Sequence, residues 1–246
     1  MHFTKMHGLG NDYLYVYGEV PANIEDLSIK LSERHFGAGS DGMIYISPSE
    51  ISDFKMRIFN ADGSEAKMCG NGIRCVGKYV YDKGYTDKKH LRIETLSGIK
   101  TLDLNVSNGK VKTVSVGMEK AEVSENLQLD VDGEKIICTP VSVGNPHAVN
   151  FVKDIEKAPL LTLGPKMEHH RAFPGGVNVE FVEVLDRKTL RMRVWERGSG
   201  VTMACGTGAC AAAVAAVLNG FCPLDENITV KVKGGEIAMV SVKTSD

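Results

Sequence analysis

The sequence has almost no net charge, no long apolar run and too few cysteines to cross-link itself. Its 29 basic residues face 31 acidic ones, a formal net charge of −2. Nothing electrostatic therefore favours nucleic acid or an anionic membrane as a partner. The longest uninterrupted apolar run, Ala209–Leu218, has ten residues, against the roughly 20 needed to span a bilayer. The opening "MHFTKMHGLGNDYLYVYGE" lacks the apolar core of a signal peptide, so a cytoplasmic protein is expected. Six cysteines in 246 residues are too dilute for a disulfide scaffold. Cys69–Cys75 is C-x5-C and Cys205–Cys210 is C-x4-C, and neither has a second close Cys/His pair, so no metal is expected. Cys75, Cys138, Cys210 and Cys222 read as small buried apolar residues. The rest of the composition, 43% hydrophobic and 24% charged, is that of an ordinary globular chain. It suffices for one large domain or two of roughly 120 residues.

What the chain does have is an internal repeat. "MRIFN" (56–60) and "MRVWE" (192–196) lie 136 residues apart. The same 136 separates Cys69 from Cys205, Gly70 from Gly206, Gly72 from Gly208 and Gly84 from Gly220. Upstream, Gly10–Asn11 answers Gly144–Asn145 at 134. A shared offset across strand, turn, cysteine, helix and helix stop points to two homologous halves. They join near "VGMEKAEVSENL", giving domains 1–118 and 119–246, the first carrying Cys69 and the second Cys205.

Each half reads as strands first and a helix late. "FKMRIFN", "LRMRVWE", "LRIETL", "VKTVSV", "VNVEFVEV" and "ITVKVK" alternate with period two. After Cys69 the period changes: Ile73, Val76, Gly77 and Val80 fall on one helical face that stops at Gly84. After Cys205 comes 209–218, apolar on every side. A helix without a polar face must be surrounded by protein. The expected fold class is α+β: two pseudo-symmetric domains, each a curved, mostly antiparallel sheet wrapped around a central helix.

In both halves a polar loop leads into Cys-Gly-x-Gly and then that helix. Glycines let the backbone approach a ligand, and the first helical turn offers unpaired N–H groups to a carboxylate or phosphate. The positive helix end is expected to lower the cysteine pKa from about 8.5 toward neutrality. Two thiols at one repeat position suit a reaction that inverts a carbon centre by proton transfer, with a base on one face and an acid on the other. The helix N-termini would hold the substrate carboxylate and the charge that develops beside it. Neither metal nor pyridoxal phosphate is needed.

"KMHGLGNDY", "FNADGSEAKMCGNGIRC", "VGNPHAV", "GVNVEF" and "WERGSGVTMACGTGAC" together resemble the diaminopimelate epimerase family, from residue 1 to about 240. The resemblance implies two similar domains and interconversion of LL- and meso-2,6-diaminopimelate for lysine and cell-wall precursor synthesis, with no cofactor. It implies Cys69 and Cys205 as the two bases. Backbone N–H groups of Gly70–Asn71 and Gly206–Thr207 would hold the reacting carboxylate. Asn11, Asn60, Asn145, Asn178 and Arg197 would grip the distal amino-carboxylate end, and His147 and Glu196 would tune the thiols. A guanidinium fork and amide oxygens suit a zwitterion. Glu196 suits either the ammonium or a thiol, and His147, after Asn-Pro, equally suits a structural role in a turn.

The sequence departs from the family twice. Gly42 stands where many members carry glutamine, which removes one side-chain contact. Members also continue past "GGEI" with a hairpin that packs on the first domain and helps form a homodimer. This sequence ends at "AMVSVKTSD", which argues against that route to the dimer and leaves the first domain's edge open. Three other readings are a proline-type isomerase of the same superfamily, a dithiol redox protein and a non-catalytic binding module.

Overall fold

The computed structural model describes residues 1–118, 120–233 and 237–243, the side chains of 237–239 excepted. The chain divides into two compact units, 1–118 and 119–246. Among the described residues no helix is long and apolar enough to cross a membrane.

The N-terminal unit runs β1 (Thr4–Gly8), β2 (Asn11–Tyr17), α1 (Ile24–Ser32), β3 (Gly42–Ser47), β4 (Phe54–Asn60), β5 (Glu65–Ala66), α2 (Gly70–Asp82), β6 (His90–Thr95), β7 (Gly98–Ser107) and β8 (Lys110–Val116). Its sheet has the order β1-β2-β3-β4-β6-β7-β8, with β5 on β4. Pairing is antiparallel except at β2·β3 and β4·β6. Both ends of the sheet reach α2, since β1 and β8 each pack on it, so the sheet curls around that helix. Period-two alternation explains the layering. Tyr13 and Tyr15 of β2, Ile44 and Ile46 of β3, and Phe54, Met56 and Ile58 of β4 turn inward onto Ile73, Val76 and Val80. Leu14, Val16, Met43, Tyr45 and Phe59 turn outward, onto Ile24 and Leu27 of α1. Fully burying each such aliphatic side chain is worth about 1.5–3 kcal/mol.

The C-terminal unit repeats this plan with β9 (Glu122–Val123), β10 (Leu127–Val131), β11 (Glu134–Ser142), β12 (Pro146–Val152), α3 (Leu160–Glu168), β13 (Asn178–Asp186), β14 (Thr189–Glu196), β15 (Gly200–Val201), α4 (Gly206–Leu218), β16 (Asn227–Lys231) and β17 (Ile237–Ser241). The order is β10-β11-β12-β13-β14-β16-β17, and the parallel pairs β12·β13 and β14·β16 match those of the first unit. Helix α4 is touched by β11, β12, β13, β14, β16 and β17. Its alanines 209, 211, 212, 213, 215 and 216 are all buried, as a helix with no polar stripe requires. On the outer face α3 packs against Val179, Phe181 and Trp195. Gly164 makes that approach possible, because a Cβ there would lie 2.8 Å from the Trp195 side chain.

Cys75, Cys138 and Cys222 are buried as expected, whereas Cys210 is only half-buried, lying on the flank of α4. Residues 234–236 and 244–246, on which the expectation about the C-terminal edge partly rests, lie outside the described residues.

Candidate active site

Each cysteine is the N-cap of its unit's central helix. Cys69 has extended backbone (φ −140°, ψ 113°) and its Sγ accepts the Gly72 N–H at 3.3 Å. Cys205 does the same (φ −117°, ψ 116°) with the Gly208 N–H at 3.3 Å. A cap in this position uses one of the orphan donors of the first turn. Gly70–Asn71 and Gly206–Thr207 supply the N–H groups between cap and bond. The two glycines of Cys-Gly-x-Gly have separate jobs. A Cβ on Gly70 would meet nothing within 4 Å, so that face of the turn is open to a ligand. A Cβ on Gly72 would lie 2.6 Å from Ile44 Cδ1, and one on Gly208 2.7 Å from Glu180 Oε1, so these two let the helix seat on its sheet.

In the N-terminal unit the β1–β2 hairpin turns through Leu9 (φ 55°) and Gly10 (φ 86°), the two left-handed positions of a type I′ turn. This sets Asn11 on the inner face, where the Cys69 thiol donates to its Oδ1 at 3.3 Å. Asn11 Nδ2 donates to Asp41 Oδ2 at 2.7 Å, and Asp41 in turn takes the Arg34 guanidinium at 2.8 Å. Asn71 Oδ1 accepts from Arg74 at 2.7 Å. Asn60 ends β4 on the same face and donates to Ser64 Oγ at 3.1 Å. Burial raises the Tyr13 hydroxyl, with Cys69 nearby adding to the effect. At Gly42 the departure from the family has a packing reason. Its φ is 153° and a Cβ would fall 2.2 Å from the Phe59 carbonyl oxygen, so no side chain fits this backbone.

In the C-terminal unit a chain of hydrogen bonds leads to Cys205. His147 Nδ1 meets Glu180 Oε1 at 2.7 Å and its Nε2 meets Asn145 Oδ1 at 3.0 Å. Asn145 Nδ2 donates to Thr207 Oγ1 at 3.3 Å, and Thr207 Oγ1 lies 3.3 Å from Cys205 Sγ. Glu196 accepts from the Thr202 hydroxyl and stands beside Cys205. Asn178 and Arg197 form a second group. Asn178 Oδ1 accepts the Arg197 backbone N–H at 3.0 Å, and its Nδ2 donates to the Pro146 carbonyl at 2.9 Å. The exposed Arg197 guanidinium donates to the Gly175 carbonyl at 2.9 Å. Glu168 braces this turn from the outer face, accepting from Trp195 Nε1 at 2.7 Å and the Gly198 N–H at 2.8 Å.

The expectation of a thiol lowered toward neutrality is overturned at Cys205. Burial pushes this thiol well above its ordinary range and the Glu196 and Glu180 carboxylates push it further, against the Thr207 hydroxyl and the Gly208 N–H. Dehydration of a thiolate outweighs a partial helix charge that one N–H delivers. Burial likewise raises Glu196, with the Thr202 hydroxyl opposing.

The sequence-predicted residues thus gather by unit: Asn11, Gly70 and Asn71 beside Cys69, and Asn145, His147, Glu196 and Thr207 beside Cys205. Asp41, Glu168 and Glu180 were missed. Glu180 left a signal, since in "VNVEF" it shares the face of Asn178 two residues earlier. Glu168 left none. Among the described residues no group of three or more His, Cys, Asp or Glu side chains is placed to hold a metal ion.

The chain matches the family model described as diaminopimelate epimerase over residues 3–123 and 139–245. The diaminopimelate epimerase of Acetivibrio thermocellus is 54% identical over 252 residues, covering 96% of this chain and 89% of that one. That of Methanococcus maripaludis strain S2 is 50% identical, covering 97% and 91%. Among solved structures, a probable proline racemase from Agrobacterium radiobacter K84 shares the fold with a TM-score of 0.74. It is 17% identical and covers 98% of this chain and 84% of that one. On the family match and the identity to these relatives, the chain belongs to the diaminopimelate epimerase family.

Proposed function

We propose that the chain epimerises LL-2,6-diaminopimelate to meso-diaminopimelate in the cytoplasm, in lysine and peptidoglycan precursor synthesis, with Cys69 and Cys205 as its two acid–base groups and no cofactor. The observation that carries this reading is the doubled cap: a cysteine accepting the third N–H of its unit's central helix, at matching places 136 residues apart.

The chemistry follows from these groups. One sulfur, as thiolate, takes the α-proton and the C–H electron pair moves into the adjoining carboxylate. The first-turn N–H groups of Gly70, Asn71, Gly206 and Thr207 stabilise that charge. The other sulfur, as thiol, returns a proton to the opposite face. Burial and two carboxylates keep the proton on Cys205, which suits it to act first as the acid. Arg197, exposed at the end of β14, offers its guanidinium to the distal carboxylate, with Asn60 at the end of β4 and Glu196 at the end of β14 as candidates for the ammonium. Asn11 takes the Cys69 thiol, Asn145 donates to the Thr207 hydroxyl beside Cys205, and Asn178 holds the Arg197 turn.

The test is incubation of reduced protein with LL-diaminopimelate in deuterated water and separation of the stereoisomers. Meso product carrying solvent deuterium at the α carbon is expected, and unlabelled product would sink the proton-exchange route. Turnover of proline instead would select the proline-type reading. The homodimer belongs to the same proposal, and a fully active monomer in sedimentation equilibrium would remove it.

A further inference from the structure

We infer that Glu168, the last residue of α3, is a positioning residue for Arg197: it fixes the turn from which the guanidinium meets the distal carboxylate of the substrate. The inference rests on the role of Arg197 given above and adds the group that holds it in place. Glu168 is a poor choice for packing alone. It is 5% exposed, and a buried carboxylate is stable only with its oxygens partnered. Both oxygens are partnered, and both partners belong to one turn. Oε2 accepts from Trp195 Nε1 at 2.7 Å and Oε1 accepts the Gly198 N–H at 2.8 Å. These two donors flank Arg197 in the chain.

The rest of the turn is arranged for the same end. Glu196 pairs with Gly200 across the β14–β15 hairpin, so 197–199 form its loop. Asn178 accepts the N–H of Arg197 itself, which leaves the N–H of the next residue to Glu168. The Arg197 stem lies against Gly176, where a Cβ would fall 2.9 Å from its Cδ, and its Nη1 donates to the Gly175 carbonyl at 2.9 Å. An arginine on a loose turn would have to be ordered at each binding event, which weakens binding. The N-terminal unit supplies the contrast. At the offset of 136, α3 answers α1, Glu168 answers Ser32 and Arg197 answers Ala61. Ser32 Oγ accepts from Ser40 Oγ at 3.2 Å. A carboxylate ends the outer helix where the turn carries a guanidinium, and a serine ends it where the turn opens with alanine.

The test compares Glu168→Gln with wild type on LL-diaminopimelate. An amide can accept from one of the two donors but turns its own N–H groups toward the other. KM should rise about tenfold with kcat within about twofold, the pattern of lost ground-state binding. In an Arg197→Ala background the same substitution should change kcat/KM by less than about twofold, because no guanidinium is left to hold. An unchanged KM, a fall in kcat at constant KM, or an equal loss in the Arg197→Ala background overturns the inference. If Glu168→Gln does not fold, Trp195→Phe decides, since it removes one donor and keeps a ring. A KM raised about two- to threefold there upholds the inference, and a wild-type KM overturns it. Relaxation of 15Nε of Arg197 in the free protein reads the positioning without turnover: Glu168→Gln should lower its order, and unchanged order overturns the inference. A wild type inactive on LL-diaminopimelate would sink the proposed function and leave this last readout to decide whether Glu168 positions Arg197.

Discussion

The two units build the same cysteine cap and surround it differently. Carrying the repeat offset and the strand registers across, Tyr13 answers His147, Ile44 answers Glu180 and Asn60 answers Glu196. Behind Cys69 these places hold a phenol, an alkyl group and an amide. Behind Cys205 they hold an imidazole and two carboxylates. Cys69 is half-buried and its thiol donates to an asparagine fixed by Asp41. Cys205 is buried, and a hydroxyl at the end of a polar chain reaches it. The backbone repeat thus supplies two equivalent sulfurs, and the side chains behind them decide how each holds its proton.

The largest expected effect tests whether both sulfurs are needed. Cys69→Ser and Cys205→Ser keep an N-cap acceptor, so thermal midpoints should stay within a few degrees of wild type. Epimerisation should fall by about 10³-fold or more in each. A tenth of wild-type turnover surviving in either would break the comparison. Cys→Ala at either site should lose the same activity and about 1 kcal/mol of stability as well, read by denaturant midpoint.

The glycines come next. Gly208→Ala presses on Glu180 Oε1 and, at 3.1 Å, on Cys205 Cβ, and should cost about 2–3 kcal/mol. Gly72→Ala presses on Ile44 Cδ1, the free end of an alkyl chain, and should cost about 1 kcal/mol. Gly70→Ala should leave stability intact and raise KM, because its side chain enters the space left for substrate. Equal costs at 72 and 208 would show that the polar chain adds no rigidity.

A smaller effect is pH-dependent. The folded Cys205 thiol is raised, so its contribution to stability is complete below the ordinary thiol range and is lost as pH climbs through the folded value. The thermal midpoint of Cys205→Ser, relative to wild type, should therefore rise between pH 8 and 10. A flat difference would mean that the burial does not act on ionisation. The smallest effect lies at Glu168. Burial raises it, but the bonds from Trp195 and Gly198 prevail and hold it below its ordinary value. Its contribution is present above the ordinary glutamate range and lost as pH falls through the folded value. The stability lead of wild type over Glu168→Gln should vanish in acid, and a lead that persists would assign Glu168 a packing role alone.

Much of this was legible in the chain. The strands at 54–60 and 189–196, the helices after both cysteines and the stops at Gly84 and Gly220 follow from local periodicity and glycine chemistry. Helix α3 was not, because it carries Gly164 and Pro165 and is held by contacts with Trp195 and Phe181 rather than by propensity. Glu180 shares the strand face of Asn178, but alternation by itself does not tell whether that face is covered. Only a sheet covered on both faces buries it. Asn178 and Arg197 were placed together by motif, but it is the Arg197 backbone, not its guanidinium, that Asn178 receives.

By itself the sequence determined the repeat, through matches at a constant 136-residue offset, and the strands, the buried helix and the placing of each cysteine at a helix start, because these depend on periodicities within a dozen residues. Tertiary structure alone decided the proton affinity of Cys205 and the partners of His147, Asn145 and Thr207. A pKa is set by whatever excludes water and by the charges that folding brings alongside, here Glu196 and Glu180 from two neighbouring strands, and no local pattern carries that information.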